Sequence, residues 1–165
     1  FLLRAFASAS QKHQNLRLKI IGEGPERDNL ASLTEDLGIS SKVEFEGYVE
    51  AESTLYTYLR ASDVFVLSSV TEGFPRVLYE AMCMRLPIVT TSVGGIPYLL
   101  KHDKNALMVE AGDVEQLSCE ICRVIQDSAL RKRLIKAGSQ TLDGVLENMD
   151  SKQISKLFKT HAVAT

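Results

Sequence analysis

Short apolar runs alternate with segments of helical spacing along most of the chain. The runs are residues 16–21, 43–46, 64–67, 88–91 and 106–109. Between them, apolar residues recur three and four positions apart in residues 1–13, 25–37, 53–61, 75–84 and 97–101. After residue 114 only helical spacing remains, up to about residue 159. This alternation predicts an α/β fold with a Rossmann-like, doubly wound parallel sheet that carries helices on both faces.

The order of these elements has one irregularity. A doubly wound domain normally opens with a strand, whereas this chain opens with a helix and starts at Phe1 rather than at a Met. We therefore expect that it belongs to a longer chain and lacks the first strand of its sheet. That strand would lie centrally, between the strands at 16–21 and 64–67, and without it two strand edges would be unpaired. The unbroken apolar run at 64–67 is typical of a strand that is covered on both faces.

Composition excludes several classes of protein. The chain has 165 residues, of which 45% are hydrophobic, so it has the size and core of one globular domain. Its formal net charge of −2 offers no basic surface for nucleic acid. No apolar run approaches the roughly 20 residues that a membrane span needs, and the N-terminus lacks the pattern of a signal peptide. These features predict a cytoplasmic protein.

The three cysteines, at positions 83, 119 and 122, do not form the pattern of a disulfide scaffold. A pair spaced like Cys119 and Cys122 also occurs in metal and redox sites, but here no second pair accompanies it and the histidines are scattered. The helical spacing around the pair favours two thiols on a buried helix face. We expect no metal.

Proline and glycine mark the ends of the second helix. Pro25 is predicted to open it, because its missing N–H is not needed in the first turn, and Gly38 is predicted to end it. Gly22 and Gly24, which precede Pro25, are interpreted as a structural turn in preference to a ligand-binding loop.

The loop after the strand at 64–67 carries the most informative residues. Glu72 precedes the next helix and Glu80 lies about a turn and a half inside it. Both are expected near the crevice beyond the carboxyl ends of the strands, where doubly wound sheets bind ligands. The N–H groups of Arg76 and Val77 at the helix start favour an anion such as a diphosphate, and Gly73 permits a close approach or a positive φ.

Two acids beside such a helix start select a particular kind of ligand. A carboxylate that accepts two O–H bonds holds the vicinal hydroxyls of a ribose or a sugar. The site therefore suits a molecule that is part diphosphate and part polyol, and a nucleotide sugar fits this description. The alternative is that Glu72 and Glu80 are ordinary solvated carboxylates, which are favoured near a helix start in any case.

Several segments in a fixed order extend this pattern. They are Gly22-x-Gly24-Pro25, Val43-x-Phe45-x-Gly47-x-Val49, Ala61-Ser62-Asp63-Val64, and residues 68–95 with Glu-Gly-Phe-Pro at Glu72, Glu-Ala-Met at Glu80 and the turn Val93-Gly94-Gly95. From the first helix to about residue 140, the chain closely resembles the C-terminal, donor-binding domain of GT-B glycosyltransferases of family 4.

This resemblance implies a role for each matching residue. Glu72 would be the catalytic residue that meets the hydroxyls of the donor sugar, and Glu80 would hold the ribose hydroxyls. The remaining donor-site residues would be Gly73, Phe74, Arg76 and Val77, whose backbone faces the sugar and the diphosphate, and Tyr48 and Val49 near the base. For Tyr48, packing over the core is an equal alternative, and Arg76 is expected to act through its backbone.

The resemblance also implies a function. Residues 1–165 would be the nucleotide-sugar-binding half of a retaining hexosyltransferase of polysaccharide biosynthesis, with no metal and no tightly bound cofactor. A UDP- or GDP-sugar would donate to a glycan or lipid-linked saccharide held by an N-terminal domain. That domain, and an Arg and a Lys that neutralise the diphosphate, would lie before Phe1, so the isolated chain is expected to be inactive. The full-length protein would be cytoplasmic or peripheral at the inner face of the membrane, with no nucleic-acid partner.

Two alternatives stay open. A non-catalytic nucleotide-sugar-binding or interaction module would keep the fold without the reaction, and a nucleotide-sugar epimerase would share the GT-B architecture, although Glu-Gly-Phe-Pro argues against it. Arg85 departs from the family, which customarily has Gly there, so a positive φ would strain this helix end. The basic residues Arg131, Lys132 and Arg133 are interpreted as a solvated helical face in preference to a lipid or acceptor contact.

Overall fold

The computed structural model describes residues 1–49 and 52–158. Its strands are β1 (Leu18–Ile21), β2 (Val43–Gly47), β3 (Phe65–Leu67), β4 (Ile88–Thr91) and β5 (Leu107–Val109). Its helices are α1 (Leu2–Lys12), α2 (Arg27–Asp36), α3 (Glu52–Arg60), α4 (Val77–Cys83), α5 (Ile96–Leu99), α6 (Val114–Gln126), α7 (Ser128–Leu146) and α8 (Ser151–Phe158). Every predicted strand and helix is confirmed to within a few residues. The predicted end of the last helix, at about residue 159, lies outside the described part of the chain.

The strands are parallel and form two sheets. In the first sheet β1 pairs with β2, with Leu18 opposite Val43. In the second the order is β3-β4-β5, with Phe65 opposite Ile88. Each strand is followed by a helix, which the parallel arrangement requires.

Alternate residues of the three-stranded sheet face two different hydrophobic clusters. Val66, Val89 and Leu107 pack in the cluster formed with α1 and α6. Phe65, Ile88 and Met108 pack in the opposite cluster, formed with α3, α4 and α7. Because side chains of a strand alternate between its faces, helices cover both sides of this sheet, as expected for a doubly wound fold.

Each sheet has an edge strand without a second partner among the described strands, at β1 and at β3. Among the described residues, β1 pairs only with β2 and β3 only with β4. The side chains of β3 are half-buried, whereas those of β4 and β5 are buried throughout. The run at 64–67 is covered on both faces as predicted, since Val66 packs in one cluster and Phe65 in the other, although its side chains are only half-buried.

Helix α1 joins the two halves of the fold. Its Ala5 and Ala9 pack with α6 and the three-stranded sheet. Its Leu3 and Phe6 pack in a third cluster, over one face of β1 and β2. One amphipathic helix therefore contacts both sheets, and it holds them together where backbone pairing is absent.

Helices α2 and α4 end in the same hydrogen-bonded motif. After α2, the N–H groups of Gly38 and Ile39 donate to the carbonyls of Glu35 and Thr34, and the φ of Gly38 is +66°. After α4, Arg85 and Leu86 donate to Met82 and Ala81 in the same pattern, and the φ of Arg85 is +57°. Both ends are Schellman motifs, which place one residue in the left-handed region. The positive φ at Arg85 confirms the predicted strain.

The start of α2 differs from the prediction. Pro25 lies in a turn, and the helix begins two residues later, at Arg27, with Glu26 as its N-cap. The N–H of Arg27 donates to the Gly24 carbonyl, so the turn is completed before the helix starts. Gly22, with a φ of +127°, donates its N–H to the Gly47 carbonyl at 2.8 Å, which joins the ends of β1 and β2 and supports the structural interpretation of this turn.

Replacing Arg85 by Gly should stabilise the protein. The left-handed conformation costs a residue with a Cβ about 1 kcal/mol, and the Arg85 side chain is exposed. We expect the midpoint of thermal unfolding to rise by roughly 2–4 °C, measured by calorimetry. Gly38→Ala is the matched control, since a Cβ there meets open space and only the φ opposes it, so it should lower the midpoint by a similar amount. A lower midpoint for Arg85→Gly would contradict the argument.

Candidate functional site

The candidate site lies where β3 and β4 end. The loop of residues 68–76 leads from β3 into α4, and Gly94 and Gly95 lead from β4 into α5. Because β3 and β4 are parallel neighbours, their carboxyl ends meet at one edge of the sheet, which is where such folds bind ligands.

Two hydrogen bonds from the β4 side fix the backbone of this loop. The Thr91 hydroxyl donates to the Ser69 carbonyl at 2.6 Å. The Gly95 N–H donates to the Gly73 carbonyl at 2.7 Å. These bonds lie on either side of Glu72, so they restrict the position from which its side chain extends. Sequence reasoning missed the roles of Thr91 and Ser69, since a single hydroxyl at a strand end gives no periodic signal.

The two loops approach each other so closely that both glycines are required. A Cβ atom on Gly94 would lie 1.8 Å from the Glu72 carbonyl oxygen, and one on Gly95 would lie 2.6 Å from the Gly73 carbonyl oxygen. Gly94 also has a φ of +56°. Gly73 does not have a positive φ, and a Cβ there would meet open space, so the close approach of a ligand to its backbone stays a prediction. The steric requirement falls on the facing turn.

Glu72 stands half-buried at the mouth of this loop. Its Oε1 accepts a hydrogen bond of 2.6 Å from the Ser69 hydroxyl. No residue in the described ranges donates to Oε2. A carboxylate held by one oxygen can accept O–H donors at the other, so Glu72 is oriented and available to a ligand.

Glu80 is in a different environment. It lies in the first turns of α4, and only 4% of it is exposed. An ionised carboxylate is stable under such burial only when its oxygens accept hydrogen bonds. The alternative of an ordinary solvated carboxylate is therefore wrong for Glu80. The same strand–loop–helix unit thus carries one accessible acid and one buried acid.

Phe74, Arg76 and Val77 connect the loop to the body of the domain. The ring of Phe74 lies 4.9 Å from the ring of Tyr79 and packs in the cluster beneath α4. Arg76 is the N-cap of α4, and its Nη1 donates to the Lys156 carbonyl in α8 at 3.0 Å. Val77 begins the helix, and the N–H groups of Leu78 and Tyr79 that follow it donate to the carbonyls of Pro75 and Arg76 at 3.2 and 2.9 Å.

Tyr48 and Val49 follow β2 in the other sheet. Tyr48 is 52% exposed, so the alternative that it covers the core is wrong, and Val49 is half-buried. No hydrogen bond or ring contact between described residues joins them to residues 68–80. The predicted base loop therefore follows a strand of the two-stranded sheet, and the acidic unit follows a strand of the three-stranded sheet.

Other polar features of the described residues have structural explanations. Burial raises the pKa of the Cys122 thiol, while Cys119 is exposed, so the prediction of two buried thiols holds for one of them. Residues 1–49 and 52–158 contain no group of three or more His, Cys, Asp or Glu residues able to hold a metal. In that part of the chain no helix combines the length and apolarity of a membrane span.

The basic residues of α7 are mostly committed to contacts within the fold. Arg131 donates to the Val124 carbonyl at 2.8 Å, and also to the Ile125 carbonyl, at the end of α6. Arg133 donates to the Asp103 carbonyl, and its Nη2 lies 3.7 Å from the Asp103 carboxylate. The prediction of a solvated face therefore holds for the exposed Arg133, whereas Arg131 is half-buried against the carbonyls at the end of α6.

The chain is similar to curated glycosyltransferases. It is 36% identical over 134 residues to "Lipopolysaccharide core biosynthesis glycosyltransferase LpsD" of Rhizobium meliloti, with 81% of this chain and 38% of that protein covered. It is 38% identical over 127 residues to LpsE of the same organism, named in the same terms, with coverages of 77% and 36%. The chain thus spans less than half the length of these relatives.

Solved structures match the fold. The C-terminal domain of a glycosyl transferase group 1 family protein, LpcC from Francisella tularensis, has a TM-score of 0.81 at 24% identity, covering 90% of this chain and 78% of that one. HepE from Anabaena, in complex with UDP, has a TM-score of 0.78 at 23% identity, covering 94% and 43%. These matches confirm the Rossmann-like fold of a GT-B C-terminal domain. The family model of the glycosyl transferases group 1 spans residues 1–141, and the chain belongs to this family.

Proposed function

We propose that this chain is the donor-binding domain of a retaining GT-B glycosyltransferase of family 4. The full protein would transfer a hexose from a UDP- or GDP-sugar to a glycan or lipid-linked saccharide. The observation that carries the proposal is the unit at residues 68–80, which combines an oriented, accessible Glu72, open space beside Gly73 and a buried Glu80.

The chemistry of this unit supports a nucleotide sugar. The free Oε2 of Glu72 suits sugar hydroxyls, and the Val77 N–H at the start of α4 would donate to a diphosphate. Glu80 would hold the ribose hydroxyls from inside the fold. The exposed ring of Tyr48, with Val49, would meet the base across the space between the sheets. UDP in the HepE complex supports a uridine donor, and the Rhizobium relatives support a role in lipopolysaccharide or other polysaccharide synthesis.

The proposed reaction depends on positioning and on charge. Departure of the nucleoside diphosphate creates negative charge, which backbone N–H groups and cations stabilise, and Glu72 positions the sugar. The acceptor would bind an additional N-terminal domain, consistent with a chain that spans 38% of its relative LpsD. A cationic pair supplied from outside this chain would complete the diphosphate site, and no metal or bound cofactor is required. The full-length enzyme would work in the cytoplasm or at the inner face of the membrane.

The two acids should have separable effects on ligand binding. Glu80→Gln should weaken UDP and UDP-glucose alike, by about tenfold, because it removes a charged acceptor from the ribose. Glu72→Gln should weaken UDP-glucose but leave UDP unchanged, because only the sugar reaches this residue. Thermal shift titration of both variants measures these affinities, since a ligand at ten times its Kd adds about 1.4 kcal/mol to stability.

The wild-type chain is the reference. Titrations of it with GDP, ADP and their sugars compare its affinity for the different bases. No shift of the wild type with any nucleotide would contradict the proposal, and an unchanged shift with Glu80→Gln would contradict the ribose role. Binding of UDP-glucose by an extended, two-domain protein without turnover would favour the non-catalytic module.

Gly73 and Gly95 should respond differently to substitution by alanine. Gly73→Ala places its Cβ in open space, so the free protein should keep its unfolding midpoint but lose UDP-glucose affinity if the donor fills that space. Gly95→Ala forces a backbone contact apart and should lower the midpoint by several degrees without any ligand. Calorimetry and titration of both variants test this. If Gly73→Ala binds UDP-glucose with the affinity of the wild type, the donor does not occupy the space beside residue 73.

The space between β1 and β3 should accept a further strand. We propose that a longer chain supplies it from the segment before Phe1, with the sheet then continuous. Alternate residues of a parallel strand bond to opposite neighbours, and Phe65 donates to the Pro87 carbonyl on the β4 side, so the Val66 amide faces the gap. In the longer chain the Val66 amide should gain protection from hydrogen exchange. If the Val66 amide exchanges as fast in the longer chain as in the isolated chain of residues 1–165, no strand pairs with this edge of β3.

A further inference from the structure

Arg76 links the candidate donor loop to the last described helix. Its backbone is the N-cap of α4, four residues after Glu72, and its guanidinium donates to the Lys156 carbonyl, 80 positions along the chain. Lys156 lies in the last turn of α8 as far as the chain is described, and within residues 52–158 no helical N–H donates to its carbonyl. A guanidinium at this end satisfies the carbonyl and also complements the negative end of the helix.

A second connection runs through side-chain packing. Phe158 of α8 and Phe74 of the loop both pack in the cluster that contains Leu78 and Ile88. Leu157, next to Phe158, is only 8% exposed. Loop and helix therefore share one hydrophobic cluster as well as one hydrogen bond, and a displacement of either removes contacts of the other.

Helix α8 depends on this docking. It has eight residues, and a helix of this length is marginal in water without tertiary contacts. The backbone N–H groups at its start have local partners. The Asp150 Oδ1 accepts hydrogen bonds from the N–H groups of Lys152 and Gln153, and the Gln153 Oε1 accepts one from the N–H of Asp150. Its other end relies on Arg76 and on the cluster. The formation of α8 is therefore coupled to the position of Arg76.

We propose that α8 and residues 72–80 form one coupled unit, in which the Arg76 side chain is a positioning residue and the docked helix holds the donor loop in place. Since coupling between two sites is reciprocal, loss of α8 loosens the loop, and a ligand that orders the loop stabilises α8. The effect on ligands rests on the proposed function, whereas the coupling itself exists in the ligand-free protein.

Hydrogen exchange of the ligand-free chain tests the coupling. In Arg76→Ala, the amides of residues 74–80 and of α8 should both exchange faster, by roughly fivefold, the lower end of typical coupling between sites. Asp150→Ala removes the cap at the far end of α8 and does not contact the loop, yet it should accelerate the same loop amides. The double variant should be no faster than the faster single variant, because each releases the same unit.

Arg131→Ala is the matched control. Arg131 also donates to carbonyls at a helix end, that of α6, but it contacts neither the loop nor α8. Its removal should leave exchange at residues 74–80 unchanged. If exchange in α8 is unchanged by Asp150→Ala, Phe158→Ala is the second variant, because it removes a side chain by which α8 packs in the hydrophobic cluster.

The coupling is overturned if α8 amides accelerate while those of residues 74–80 do not, or if the single effects multiply in the double variant. Addition of UDP to the wild type should slow exchange in α8 by the same factor by which α8 strengthens UDP binding. A chain that shows the coupling without ligand but does not respond to UDP would contradict the proposed function and leave the coupling standing.

Discussion

The contact between two backbone loops determines the geometry of the candidate site. The Glu72 carbonyl occupies the volume that a Cβ on residue 94 would need, and the Gly73 carbonyl accepts the N–H of Gly95. A contact this close leaves no freedom for a side chain to intervene, so the position of Glu72 follows from that of β4. Because β4 is buried along its whole length, the turn that follows it is a rigid support. An acid at the surface is thereby positioned by the most buried strand of the domain.

The sequence predicted the elements of this arrangement better than their contacts. The strand at 88–91 was predicted with its observed bounds because it is short, β-branched and apolar, and the strain at Arg85 was predictable because a helix end is a local structure. The steric requirement for glycine at positions 94 and 95 was not predicted, since a through-space approach between loops leaves no mark on either segment alone. The spacing of Glu72 and Glu80 placed both on one unit but gave no information on the burial of the second.

Tertiary contacts also determine which groups the charged side chains bind, and these contacts are not visible in the sequence. Arg131 and Arg133 look like a solvated face in sequence, yet both donate to backbone carbonyls of other segments. An apolar run likewise predicts a strand but does not report its degree of burial, and the side chains of β3 are half-buried. The expectation of unpaired strand edges, in contrast, agrees with the two separate sheets of the described strands.

The supports of the donor loop differ in kind along its length. Near Glu72 they are short contacts to the turn after β4, which require no other element to fold first. Near Arg76 the support is a hydrogen bond to an eight-residue helix that docks through few side chains. Contacts of the second kind open at lower free energy than those of the first. Under the proposed function, this division would keep Glu72 fixed against the sugar while the helix start, which would meet a departing diphosphate, adjusts. The loop therefore combines preorganisation at one end with a reversible attachment at the other.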